Sequence, residues 1–254
     1  MTKQVYFIGA GPGDPDLITV KGKKLVEQSD VIIYAGSLVN PAIIACAKPE
    51  ATIYNSASMT LEDVLEVMEK AVAEKLLVAR VHTGDPSIYG AIREQMDVLE
   101  KKNITYDVVP GVSSFTAAAA ALKKEFTLPG VSQTVICTRL EGRTPVPEGE
   151  ALEKLAAHQA SMAIFLSVQD MDSVVDRLLT HYAPTTPVAI VEKASWPEER
   201  ILLGTLADIA GKVKDAGITK TAQILVGDFL GNDYELSLLY DKHFTHMFRD
   251  GITP

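Results

Sequence analysis

The sequence predicts an α/β protein of two α/β domains, the first with a mainly parallel sheet and the second with a mixed one. Three observations predict it. Apolar runs alternate with helical patterns through the first half, an order that places parallel strands in one sheet with helices on its faces. In the second half two strand-like runs, 187–193 and 200–204, follow one another across Ala194-Ser195-Trp196-Pro197-Glu198 and read as an antiparallel pair. The 254 residues, 47% of them hydrophobic, suffice for one large domain or two modest ones with real cores.

The elements follow in order. Val5-Tyr6-Phe7-Ile8 is a continuous apolar run and reads as a buried strand over 4–8. Further strands are expected at 31–35, 52–54, 76–82 and 105–109, with helices at 19–28, 41–47, 60–74, 88–101 and 113–122. The helix over 60–74 shows the logic well. Thr60 can cap it and Asp63 follows three residues on, while Leu61, Val64, Leu65, Met68, Ala71 and Val72 share one apolar face. In the second half strands are expected at 133–138, 161–166, 187–193, 200–204 and 222–227, and helices at 150–157, 171–181 and 207–215. A boundary is expected within 110–125, where Pro110-Gly111 leads into an alanine-rich helix. This divides the chain into an N-terminal domain (1–115), a C-terminal domain (116–231) and a tail (232–254). No long linker separates the domains, and a cleft between them is the expected ligand site.

Composition excludes several classes of function. A net charge of −9 argues against nucleic acid, whose binding draws on basic patches. It leaves room for a small anionic substrate held by a local cluster of Arg and Lys. The longest apolar runs fall well short of the ~20 residues a spanning helix needs. Met1-Thr2-Lys3-Gln4 leads straight into a strand without a secretory pattern. Cys46 and Cys137 sit in apolar settings and read as buried free thiols of a reducing cytoplasm. The histidines show no metal spacing; His243 and His246 suit one solvated helix face.

The densest chemistry lies in turns at strand ends. Gly9-Ala10-Gly11-Pro12-Gly13-Asp14 follows the first strand, where glycine lets a backbone approach a ligand closely. It is not the dinucleotide fingerprint, because Asp14 stands where that pattern needs glycine. A carboxylate there repels phosphate and suits a ligand with positive charge and no phosphate, such as the sulfonium of S-adenosylmethionine. Thr83-Gly84-Asp85-Pro86, Pro110-Gly111-Val112-Ser113-Ser114 and Lys193-Ala194-Ser195 are three more turns of this kind. Any one alone is an ordinary turn; four at comparable places point to one site. Thr138–Pro147 is a second dense stretch, with Arg139 and Arg143 in a loop stiffened by two prolines. Both arginines could grip carboxylates bidentately, or the loop could be a solvated surface with a local pair through Glu141.

Together, Val5–Thr19, Thr83–Gly90 and Val109–Ser114 resemble the tetrapyrrole methyltransferase family, over about residues 4–230. Gln133–Pro147, Lys193–Pro197 and the tail from Tyr234 to Arg249 resemble its branch acting at C11 of precorrin-4 or cobalt-precorrin-4. The resemblance implies S-adenosylmethionine as methyl donor, a tetrapyrrole substrate, a homodimer, and a cofactor folded into the interdomain cleft. It implies that Pro12 lines the pocket, and that Thr83, Gly84, Asp85 and Ile88 approach the methionine and ribose. Ser113 and Ser114 follow from the Pro-Gly turn, and Leu166, Ala194 and Ala222 hold the adenine side. The family often has Thr-Ala where Ser113-Ser114 stands, and methionine where Leu166 stands.

The expected reaction is methyl transfer to a ring carbon, with the substrate's enamine-like system as nucleophile. Arg139 and Arg143 are the preferred carboxylate anchors, with Lys21 and Lys24 behind them. Asp14, Asp16, His82 and Glu141 are candidates for a general base; Asp14 and Glu141 also count among the substrate-side residues. Methylation at another tetrapyrrole position, or of uroporphyrinogen, is the alternative within the family. A nicotinamide-dependent oxidoreductase is the alternative from another class, and a noncatalytic ligand-binding protein is the third.

Overall fold

The computed structural model describes residues 4–36 and 38–252. Met1, Thr2 and Lys3, on which the reading of the N-terminus rests, lie outside them. The chain divides into two compact units: residues 1–118 with Lys193–Glu199, and residues 119–192 with 200–254.

The first unit holds a parallel five-stranded sheet of β1 (Val5–Gly9), β2 (Val31–Tyr34), β3 (Thr52–Asn55), β4 (Val78–His82) and β5 (Tyr106–Val109), in the order β3-β2-β4-β1-β5. Successive side chains of a strand point to opposite faces, so both faces of this sheet must be covered. Tyr6 and Ile8 pack with Val26 of α1 (Val20–Gln28) and with Ile43 and Ile44 of α2 (Pro41–Ile44). Val5 and Phe7 pack on the other face, with Val64, Leu65 and Met68 of α3 (Leu61–Ala73) and Leu99 of α4 (Arg93–Lys101). The capping box expected at α3 forms: the Thr60 hydroxyl accepts the Asp63 N–H at 3.2 Å, and the Asp63 carboxylate accepts the Thr60 N–H at 2.9 Å. Next along the chain comes α5 (Ser114–Leu122).

The second unit holds a mixed sheet of β6 (Val135–Arg139), β7 (Ser161–Phe165), β8 (Pro187–Glu192), β9 (Arg200–Thr205) and β10 (Ala222–Val226), in the order β6-β7-β10-β8-β9. β6 and β7 are parallel, whereas β10 runs against both β7 and β8, and β8 against β9. One face carries α6 (Leu152–Ala156), α7 (Met171–Leu178) and α8 (Ile209–Asp215), whose Leu152, Val174, Leu178 and Ile209 pack on Met162, Ile164, Ile190 and Ile224.

All ten expected strands form, within two residues at each end. The helices differ more. Periodicity extended α4 back to residue 88, but it begins at Arg93. Tyr89 and Ala91 adopt left-handed backbone, at φ 56° and 49°, and a Cβ on Gly90 would sit 2.1 Å from the Pro86 carbonyl oxygen, so the chain there is a tight turn. Cys137 is a free thiol but is exposed, because β6 is an edge strand with an uncovered face; Cys46 is half-buried. The segment with His243 and His246 is a loop, not a helix face: His243 Nδ1 meets the Ile252 carbonyl at 2.7 Å, and His246 bridges Arg249.

Candidate active site

In the first unit β4, β1 and β5 are parallel neighbours, so the turns that leave their C-terminal ends fall on one edge of the sheet. These turns interlock. The Gly84 N–H donates to the Gly11 carbonyl at 2.8 Å, and the Gly11 N–H donates back to Gly84 at 3.3 Å. A Cβ on Gly111 would lie 2.1 Å from the Gly84 oxygen, and one on Gly9 would lie 2.6 Å from the Gly111 Cα. Backbone meets backbone at both places, so only glycine fits.

Asp85 ties the knot. Its carboxylate accepts the Gly111 N–H at 2.9 Å, the Ser87 N–H at 2.8 Å and the Ser87 hydroxyl. Burial by itself would raise the Asp85 carboxyl, but the bonds from the Ser87 hydroxyl and the two N–H groups outweigh it and hold the carboxyl below its ordinary value.

The fourth turn belongs to the same unit and closes on the first. The Ser195 hydroxyl accepts the Asp14 N–H at 3.0 Å, and the Trp196 indole donates to the Pro12 carbonyl at 2.9 Å. Gly13 lies directly under the indole: a Cβ there would be 2.0 Å from Cδ1. Asn40 was not anticipated from the sequence. It caps α2 through the Ala42 N–H and also donates to the Gly13 carbonyl at 2.8 Å. Its Asn-Pro dipeptide, ahead of an apolar run, was the available signal.

The remaining expected residues of this unit cluster around the knot. Pro12 and Ala194 are buried. The Thr83 hydroxyl meets the Leu38 carbonyl at 3.4 Å, and the Ile88 N–H bonds to Asp85 at 3.2 Å. Buried Ser113 offers its carbonyl to the Ala117 N–H at the start of α5, and Ser114 is that helix's first residue. The Asp14 carboxylate accepts the Asp16 N–H at 2.9 Å, which leaves one of its oxygens for other donors. Lys21 pairs with Asp107 at 3.0 Å, and Lys24 is exposed.

His82 fills the last position of β4, immediately before Thr83. Burial, reinforced by the Arg80 charge, pushes its pKa down to about 3. Its imidazole is therefore neutral at physiological pH and a poor general base. Its Nε2 has no hydrogen-bond partner among the described residues. Arg80 is buried on the same strand, where it donates to Gln95 and to the Ile33 carbonyl, each at 3.3 Å.

In the second unit one sheet edge collects four strand ends, those of β6, β7, β8 and β10. Arg139 ends β6 opposite Phe165, Leu166 follows β7, and Ala222 opens β10 opposite Glu192. Leu166 is 64% exposed and left-handed at φ 55°, an uncommon state for a leucine. Arg139 turns inward. Its guanidinium donates to the carbonyls of Leu140 (3.3 Å), Thr144 (3.1 Å) and Pro145 (2.7 Å), and so shapes the loop it belongs to. Arg143 in the same loop is exposed. Glu141 pairs with Arg177, which also holds Glu153 at 2.8 Å; the pairing expected within the loop goes instead to α7.

Such turns suit a particular ligand. The side chains that bond them are Asp85, Ser87, Asn40, Ser195 and Trp196, and the carboxylates of Asp14 and Asp85 disfavour a phosphate. Two carboxylates at these turns favour a ligand with cationic centres over a dinucleotide. Among the described residues no cluster of His, Cys, Asp and Glu could hold a metal ion, and no helix is long and apolar enough to cross a membrane.

The fold and these turns define an α/β protein with two sheets, in which glycine turns interlock at the ends of the parallel strands. Residues 4–210 match the family of Tetrapyrrole (Corrin/Porphyrin) Methylases. A cobalt-precorrin-4 C(11)-methyltransferase of Methanocaldococcus jannaschii is 58% identical over 249 residues, 97% of this chain and 96% of the relative. The X-ray structure of a cobalamin biosynthetic enzyme, cobalt precorrin-4 methyltransferase, superposes with a TM-score of 0.88 at 48% identity, over 90% of this chain and 96% of that one. A uroporphyrin-III C-methyl transferase from Thermus thermophilus, solved with S-adenosyl homocysteine, gives a TM-score of 0.76 at 25% identity, over 89% and 98% of the two chains. The chain belongs to the tetrapyrrole methylase family.

Proposed function

We propose that this protein transfers a methyl group from S-adenosylmethionine to C11 of precorrin-4 or its cobalt complex, a step of cobalamin biosynthesis. The observation that carries the reading is the interlocked set of glycine turns, Gly9–Asp14, Gly84-Asp85 and Gly111, in a chain of this family. The nicotinamide alternative falls with the family assignment. The 58% identity to a relative named for C11 favours that position over other tetrapyrrole carbons.

The bound sulfonium supplies an already activated methyl group. What this chain supplies is alignment. Glycines 9 and 111 remove side chains where backbone must come close, Gly84 takes a left-handed backbone at φ 60°, and Asp85 holds the second and third turns in register. Pro12, Thr83, Gly84, Asp85, Ile88, Ser113, Ser114 and Ala194 are the proposed cofactor residues of the first unit, and Leu166 and Ala222 those of the second. Holding donor carbon and acceptor carbon in line is worth ~7–11 kcal/mol of barrier. Exposed Arg143 is the freer carboxylate anchor, because Arg139 spends its donors on its own loop. The proposal extends to a cytoplasmic homodimer, whose mass light scattering would read.

The test is anaerobic incubation with methyl-labelled S-adenosylmethionine and either precorrin-4 or its cobalt complex, with the label located by NMR. Label at C11 is expected, and the faster substrate names the metal state. Label at another carbon rejects the C11 reading and keeps the family.

A further inference from the structure

The segment Lys193–Glu199 connects two strands of the second unit's sheet, yet it belongs to the first unit. It is unusually shaped. Lys193 and Ser195 both take left-handed backbone, at φ 49° and 70°, which side-chain-bearing residues adopt at a cost unless their surroundings over-determine it. Here two bonds do so: the Ser195 N–H donates to the Glu199 carboxylate at 2.7 Å, and the Trp196 N–H donates to the Lys193 carbonyl at 2.9 Å. This shape delivers two side chains onto the glycine turn, 181 and 184 positions away in the chain.

Each contact removes one freedom of that turn. The indole N–H is the only donor on the tryptophan side chain, and it goes to the Pro12 carbonyl. The ring lies over Gly13 with no space for a Cβ, which bars that residue from swinging outward. The Ser195 hydroxyl takes the Asp14 N–H and sets the direction of the next peptide. Asn40 donates to the Gly13 carbonyl. Three consecutive residues are thus fixed by side chains from two distant segments.

We propose that Trp196, with Ser195, is a positioning residue that presets Pro12-Gly13-Asp14 for the cofactor. This rests on the reading that S-adenosylmethionine binds at these turns. A turn ordered in advance does not have to be ordered on binding, so the clasp strengthens cofactor affinity without touching the transferred methyl.

The test titrates S-adenosylhomocysteine calorimetrically into the full chain, as wild type, Trp196→Phe and Ser195→Ala. Trp196→Phe keeps a ring over Gly13 and removes the N–H. Each variant should bind about fivefold to tenfold more weakly, the loss expected for one hydrogen bond. The KM for S-adenosylmethionine should rise in parallel, with kcat within about twofold of wild type. A purely structural tie would instead lower Tm and the active fraction and leave KM and Kd unchanged; that pattern overturns the proposal. So does wild-type binding matched by both variants within about twofold. A wild type that takes up no S-adenosylhomocysteine overturns the cofactor reading itself. Trp196 is the chain's single tryptophan, so a second measurement needs no variant. A turn preset by the clasp predicts little shift of its emission maximum at saturating S-adenosylhomocysteine, and a large saturable shift, which would show the turn reordering on binding, counts against the clasp.

Discussion

The two sheets deliver their functional ends in different ways. In the first unit every strand runs in the same direction, so the turns after β1, β4 and β5 fall together and interlock through backbone atoms. In the second unit β10 runs against β7 and β8, so one edge combines the C-terminal ends of β6, β7 and β8 with the N-terminal end of β10. The first edge is knit by glycine and a carboxylate. The second is dressed by side chains: Arg139 folds over its own loop, and Arg177 gathers Glu141 and Glu153 at the surface. A backbone knot should tolerate no added atom, whereas a side-chain edge should lose its contacts one at a time.

The sharpest way to break that comparison is one methyl group in each region. Gly111→Ala places a Cβ against the Gly84 carbonyl and should abolish S-adenosylhomocysteine binding and lower Tm, as read by calorimetry and a melting curve. Gly142→Ala, in the arginine loop where nothing lies within 4 Å, should leave both unchanged. Equal effects would erase the distinction. Asp85→Asn comes next, because the amide cannot accept all three bonds the carboxylate takes; a loss of about 1–3 kcal/mol by denaturant titration is expected. The pH dependence follows the same group. Its carboxyl is held low in the folded chain, so the stability it lends is present above its unfolded value of about 3.9 and lost as pH falls through the folded value. The Asn variant should therefore lose less stability than wild type on acidification below about pH 4.

Arg139→Ala should act on the second region alone. Released from three carbonyls, residues 140–147 should exchange amide hydrogens faster and the tetrapyrrole KM should rise, while S-adenosylhomocysteine binds as before. An unchanged KM would limit Arg139 to shaping its loop. The smallest effect is expected for Glu141→Gln. Its pair with Arg177 is partly exposed and Arg177 keeps Glu153, so stability should change by less than about 0.5 kcal/mol in a thermal melt.

Much of the fold was legible because its signals are local. A run such as Val5–Ile8 declares a strand within four residues, and Thr60 with Asp63 declares a helix start within one turn. The glycines at 9, 84 and 111 were visible as turn residues, and their shared location followed from parallel strands. The start of α4 was misread because nothing in Ser87–Ala91 announces left-handed backbone at Tyr89 and Ala91; close packing of Gly90 on Pro86 decides it. Arg139 looked like a free anchor because a sequence does not tell which carbonyls a loop will turn toward its arginine.

By itself, then, the sequence determined the strands, most of the helices and the glycine turns, and it raised the expectation, from Asp14, of a phosphate-free ligand. Those properties depend on residues within one turn or one strand of each other. Only the tertiary structure decided that Gly9, Gly84 and Gly111 touch, that Asp85 bridges two turns, that Asn40 and Trp196 hold Pro12-Gly13, and that His82 is buried and neutral. Each of these joins residues tens to nearly two hundred positions apart, or depends on burial, and no local pattern encodes which distant groups a packed sheet edge will bring together.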